Sequence, residues 1–231
     1  MKILEKILKR KTEKTLKSFL LKKDVKPELF KFAKDLTLPQ FLDTCPRGDW
    51  ILWLFAQTNP KHKKELITAA ALCANSIRHL MTSKDSTDAL DYGLKYTQNI
   101  PLNELKLIKI AAESAASDAR SVFLVNYVPS DSIRIINESI FHATRVAAII
   151  GESVHRGYYY PSDICNSIAK ALVCNDVTNN AARQRAWVHT FGRENNEADI
   201  ANAACFDRAQ SLAARICNFA LPLEIWHQSK I

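Results

Sequence analysis

Few side chains in this sequence stand at the spacings that chemistry requires. Glu152 and His155 lie three residues apart, the spacing with which di-metal carboxylate bundles present a Glu and a His from one helix, and Glu138 and His142 lie one turn apart upstream on the same expected helix. A full site of that kind takes two such motifs and two further glutamates on separate helices. One motif is present, so no metal site is expected, and His155 with Arg156 reads as a cationic last turn suited to a helix C-terminus. Serine, histidine and aspartate occur without a G-x-S-x-G elbow, a Walker loop or an H-E-x-x-H helix. His62, His79, His189 and His227 are isolated and are expected at the surface or as satisfied core residues. Cys73, Cys205 and Cys217 sit among alanines, where burial raises a thiol pKa and makes the group inert. No catalytic residue and no cofactor is assigned, and the expectation is a protein that is not an enzyme.

The densest local signal is CPRGDWILWLFAQTNP, residues 45–60. Trp50 and Trp53 lie three apart on one helix face with Leu54, and Arg47, Gly48 and Asp49 form a turn whose carboxylate suits an N-cap. Two readings stand. Both indoles anchor a core, or one indole edge with Arg47 and Asp49 lies in a partner-binding groove, since Trp and Arg are enriched at interface hot spots. Arg47, Asp49, Trp50 and Trp53 are therefore the candidate partner-binding residues. A second cluster, Arg183, Gln184, Arg185 and Trp187, is the one place where an aromatic adjoins positive charge, too little for a base-stacking platform, and a nucleic-acid partner is not expected.

The block Cys45-Pro46-Arg47-Gly48-Asp49-Trp50-Ile51-Leu52-Trp53-Leu54, followed by ITAAALCANSIRHL, resembles a bacterial family of immunity proteins of the Imm-5 type, whose members carry a C-x-R-G-D-W-L-L-W-L block before an Ala- and Cys-rich helix. The resemblance runs from about residue 40 to 225 and is specific over 45–80. It implies an all-helical protein that neutralises a cognate polymorphic toxin by stoichiometric binding. The Lys-rich residues 1–31 depart from that pattern, and the middle helices are less Ala-rich. Inhibitors of basic nucleases are usually acidic, and this chain carries a formal net charge of +8, so the expected toxin is not a strongly basic nuclease, or the contact is mainly apolar. The alternative is a helical scaffold or adaptor whose basic N-terminal helix contacts an acidic partner, a membrane surface or nucleic acid.

The elements that must position these residues are helices. Gly 5 and Pro 8 in 231 residues are too few for a turn-rich β protein, and no alternating strand pattern occurs. The expected architecture is all-α, a multi-helix bundle or stack of antiparallel helical hairpins of about ten helices. Residues 1–31 hold eleven of the 32 Lys and Arg against four acids and form a basic extension, with Ile3 to Leu21 as one amphipathic helix, docked on the body, bound to a partner or membrane surface, or used as a nucleic-acid arm. Residues 32–231, with 21 basic and 20 acidic side chains, form one domain. Pro27 and Pro39 open short helices, the second capped by Thr37, and Asn59–Pro60 opens a long helix ending near Met81. Further helices run from Ser86 or Thr87 to Tyr96, Pro101 to about Asn126, Ser130 or Asp131 to the Gly157 stop, Asp163 to about Asp176, Thr178 to about Phe191, and Glu197 to Phe219. Alanines 111, 112, 115, 116 and 119 should let that helix approach the one bearing Ala143, Ala147 and Ala148 closely. Trp50, Trp53, Leu66, Cys73, Ile110, Phe141 and Ile149 are expected in the core. Six cysteines without a C-x-x-C pair read as free thiols in a reducing compartment. With no apolar leader and no membrane-length apolar run, the location expected is cytoplasmic.

Overall fold

Start signals and the first turns they create account for the opening third of the chain. The computed structural model describes residues 15–23, 25–96, 101–124, 131–156, 161–175, 196–221 and 223–226, and among these it contains eleven α-helices and no strand beyond one isolated antiparallel bridge, Thr15 to Thr37. Four short helices come first: α1 (Lys17–Leu20), α2 (Pro27–Ala33), α3 (Leu38–Thr44) and α4 (Gly48–Thr58). Pro27 sits in the first turn of α2, where its missing N–H costs nothing. Thr37 caps α3 in a capping box: its hydroxyl accepts from the Gln40 N–H, and the Gln40 side chain accepts from the Thr37 N–H at 2.9 Å. The helix expected from Ile3 to Leu21 is helical among the described residues only over α1. At its start the Leu16 N–H donates to the Leu36 carbonyl at 2.8 Å, tying the chain to the α2–α3 link.

α5 (Lys63–Asn75) is followed by a 3-10 turn at Arg78–Leu80, then α6 (Lys84–Leu94), α7 (Leu102–Leu124), α8 (Asp131–Arg156), α9 (Pro161–Asn175), α10 (Asn196–Ala220) and α11 (Leu223–Trp226). Two expected starts are corrected. Asn59 closes α4, donating its N–H to the Phe55 carbonyl at 2.8 Å, and α5 begins only at Lys63. Ser83, not Ser86 or Thr87, caps α6, its hydroxyl accepting the Ser86 N–H at 3.2 Å. α5 also stops short of Met81, because Ser76 and Ile77 bond back three residues to Cys73 and Ala74 and tighten the path. The expected helix at 178–191, with Arg183, Gln184, Arg185, Trp187 and His189, lies outside the described residues, as do His227 and residues 1–14.

α8 runs between α7 and α9, α9 packs on α10 and α4, α10 closes against α4 and α5, and α6 bridges α5 to α7 and α8. α7 and α8 pack against each other, and their small residues let the axes meet closely: a methyl added at Gly151 would stand 2.8 Å from the Ala112 methyl. One main core joins all of these helices except α7's outer turns, and Leu16, Leu20 and Leu29 belong to it. Trp50, Leu66 and Cys73 are buried, and Trp53 and Ile149 are half-buried against the core. Phe141 is half-buried. Ile110 is not core: it is 60% exposed, because the inward stripe of α7 runs Ile108, Ala111, Ala112, Ala115, leaving Leu107 and Ile110 on the outer face. α11, absent from the sequence expectation, buries Trp226 edge-to-face on Phe55 at 5.0 Å.

Candidate functional site

The RGDW turn is built around a glycine that sits directly on another backbone. A methyl at Gly48 would lie 2.5 Å from the Ala213 methyl, 2.8 Å from the Ala213 carbonyl carbon and 3.0 Å from the Ala214 nitrogen, so the start of α4 rests on α10 with no room for a side chain. Asp49 does not cap α4. It stands inside the first turn, 2% exposed, and accepts both arms of the Arg47 guanidinium, Nε to Oδ1 at 3.0 Å and Nη2 to Oδ2 at 2.8 Å. The Arg47 fork in turn stacks over Trp50 at 4.9 Å and Phe206 of α10 at 5.6 Å. The hydrogen bonds to Asp49 raise the Arg47 pKa against the opposing effect of burial. Trp50 is 8% exposed and packs against Phe32 at 5.5 Å. The structure thus brings Arg47, Asp49 and Trp50 together as an internal clasp between α4 and α10; Trp53 lies on the half-buried flank of α4. Of the four candidate residues, only Arg47 and Trp53 present surface to solvent.

Beneath the clasp three thiols from three helices converge: Cys73 of α5, Cys165 of α9 and Cys217 of α10, none more than 1% exposed, with the Cys73 and Cys217 sulfurs 3.6 Å apart. Hydrogen bonds from Cys165 and Cys217 pull Cys73 to about 5, whereas hydrogen bonding to Cys73 together with burial holds Cys165 well above the ordinary thiol range, and burial does the same for Cys217. The expectation of a raised thiol pKa holds for Cys217; Cys73 donates to the Ala213 carbonyl at 3.7 Å. Cys45, closing α3, donates to the Arg47 carbonyl at 3.3 Å, and burial pushes it up to about 12.

Glu152 and His155 line a cavity of about 390 Å³ between α7 and α8 with Lys109 and Glu113, and Lys109 pairs with Glu113 at 3.6 Å. Among the described residues no group of three or more His, Cys, Asp and Glu is arranged to hold a metal ion. His142, one helix face away, has its pKa lowered to about 4, by burial first and then by the Lys170 and Arg145 charges. Among the described residues no helix is long and apolar enough to cross a membrane.

A surface that the sequence reading missed lies on the flank of α10 turned away from the clasp. Leu212, Ile216 and Phe219 follow one another at i, i+4 and i+7, and Leu223 opens α11 four residues later. Ile216 is half-buried against the core, whereas Leu212 is 36%, Leu223 55% and Phe219 89% exposed. The spacing was readable, but the alanines of the same helix form a second stripe that competes for the inward face. Comparisons with protein-family models, with curated proteins and with solved structures find no match to this chain.

Proposed function

We propose that this chain is a protein-binding protein of the immunity type, acting in the cytoplasm by covering the active surface of a cognate toxin in a stoichiometric complex and not by catalysis. The observation that carries the reading is the apolar flank of α10 and α11. A phenylalanine held almost wholly in solvent between two exposed leucines leaves unburied the area that interface cores use, and an aromatic side chain buries 150–250 Å² when covered. The RGDW block supports it from the other side. Its likeness to the immunity family includes Cys45 to Leu54, and the glycine seat and arginine clasp give Gly48, Arg47 and Asp49 an architectural task, which is what a scaffold for a binding surface requires. Arg47 and Trp53 remain at the surface as secondary contacts.

The test is growth rescue. The product of the gene adjoining this one is expressed alone, with this chain, and with the Phe219→Asp, Leu223→Asp variant, whose melting curve is recorded. Toxicity alone, rescue by the wild-type chain and loss of rescue by the folded variant are expected. A folded variant that rescues fully removes the α10 flank as the contact, and a wild-type chain that neither binds nor protects removes the immunity reading.

A further inference from the structure

A second surface is defined by charge. The α4–α5 link and α1 enclose a cavity of about 480 Å³ whose walls include Phe19, Gln57, Asn59, Lys61 and His62. Lys17, Lys22 and Lys23 lie within four residues of Phe19, Lys63 and Lys64 directly follow His62, and all five, like Lys61, are exposed. Glu65, the acid in the first turn of α5, is half-buried and lies 3.6 Å from His62, while Lys61, Lys63 and Lys64 are exposed. Lys63 and Lys64 occupy the first turn of α5, where the helix dipole is already positive, and the residue before them provides no side-chain cap. Like charges gathered at the unfavourable end of a helix, around a concave site, are a placement that folding alone does not favour.

We infer that this groove receives an acidic segment of a partner protein, with carboxylates on the lysine rim. The proposal rests on the reading of the chain as a protein that binds proteins, and it specifies the charge of what it binds. Three features select a protein over other polyanions. Phe19, the aromatic in the wall, is half-buried and has the Lys23 ammonium 5.8 Å from its ring centroid, so one face is already engaged by a cation. Leu16 and Leu20, which would be the membrane-facing side of α1, are buried in the core. The exposed Gln57 amide in the wall can pair with a peptide backbone.

The test uses the full chain and fluorescence anisotropy with three probes: a glutamate-rich peptide containing leucine, an oligothymidylate of equal charge, and phosphatidylserine vesicles. The peptide is expected to bind best. The triple variant Lys61→Glu, Lys63→Glu, Lys64→Glu, and separately Lys22→Glu with Lys23→Glu, should each weaken peptide binding by about tenfold or more, whereas Lys106→Glu on the outer face of α7 should not. Two reversal sites on different segments keep the result readable if one variant fails to fold. Unchanged peptide affinity in a folded reversal variant, or tighter binding of oligothymidylate or vesicles, overturns the proposal. Growth rescue by a reversal variant reports separately on the toxin complex, so the groove can fail while the immunity reading stands, and the reverse.

Discussion

Replacing Gly48 by alanine tests whether the RGDW turn is held by close backbone approach. The residue is the first of α4 and its backbone is helical, so alanine meets no conformational penalty and the effect isolates packing. The new methyl would stand 2.5 Å from the Ala213 methyl, 2.8 Å from the Ala213 carbonyl carbon and 3.0 Å from the Ala214 nitrogen. Two of these three atoms are backbone, and relief requires α10 to move as a body. Overpacking of this kind costs ~1–3 kcal/mol. Helix propensity returns up to ~1 kcal/mol for Gly to Ala in a helix interior and less at the first position. The higher end of the steric range applies, and the net loss is about 2 kcal/mol, or roughly 4–8 °C in Tm for a chain of this size. Urea unfolding followed by circular dichroism should show a lower midpoint at unchanged slope. Ala213→Gly carries its own helix-interior cost of ~1 kcal/mol, but it removes the shortest contact, so Gly48→Ala should cost less in the Ala213→Gly chain than in wild type. A Gly48→Ala chain as stable as wild type, or more so, would refute the close-approach argument.

The clasp gives a second expectation: Arg47→Met leaves the Asp49 carboxylate buried without its fork and should cost about 2–3 kcal/mol, below the usual range for a broken buried pair because the arginine is partly exposed. The double variant Arg47→Met, Asp49→Leu should recover much of that in urea titrations; equal losses in single and double variants would count against it. His142 titrates well below the usual histidine value of 6.5, at about 4. Between those pH values the unfolded chain binds the extra proton, so the contribution is fully present above pH 6.5 and is lost as pH falls towards 4. Urea midpoints across that window should fall for wild type and fall less for His142→Phe, and parallel curves would show that His142 is not responsible.

The parts of this fold that are local in cause were legible in the sequence. Pro27 and Thr37 announce α2 and α3 because first-turn prolines and hydroxyl caps act within four residues, and the small residues of α7 and α8 announced a close pair. What was not legible depends on partners distant in the chain. Ile110 belongs by type to a core, but the rotation of α7 is decided by α8, which takes the stripe from Ile108 to Ala115. Asp49 looks like a cap from its neighbours, and only the folded approach of α10 explains why Arg47 is pulled inward to pair with it and to stack on Phe206. Within the candidate block Trp50 is buried and Trp53 is half-buried against the core, which the helical spacing of the two indoles does not distinguish. Trp226 was overlooked because a four-residue helix carries no periodicity.

The seat of α4 on α10 also governs how the chain matures during synthesis. Gly48 and Cys217, which meet in the folded protein, are separated by 169 residues. At translation rates of ~5–20 residues per second, the apolar face of α4 and α5 waits on the order of ten seconds for the helix that covers it. Nascent chains that have not yet released α10 expose Cys73 and the alanines around it, and they are the species that chaperones must hold. Truncation ahead of residue 196 would make that state permanent, so such fragments are expected in the insoluble fraction.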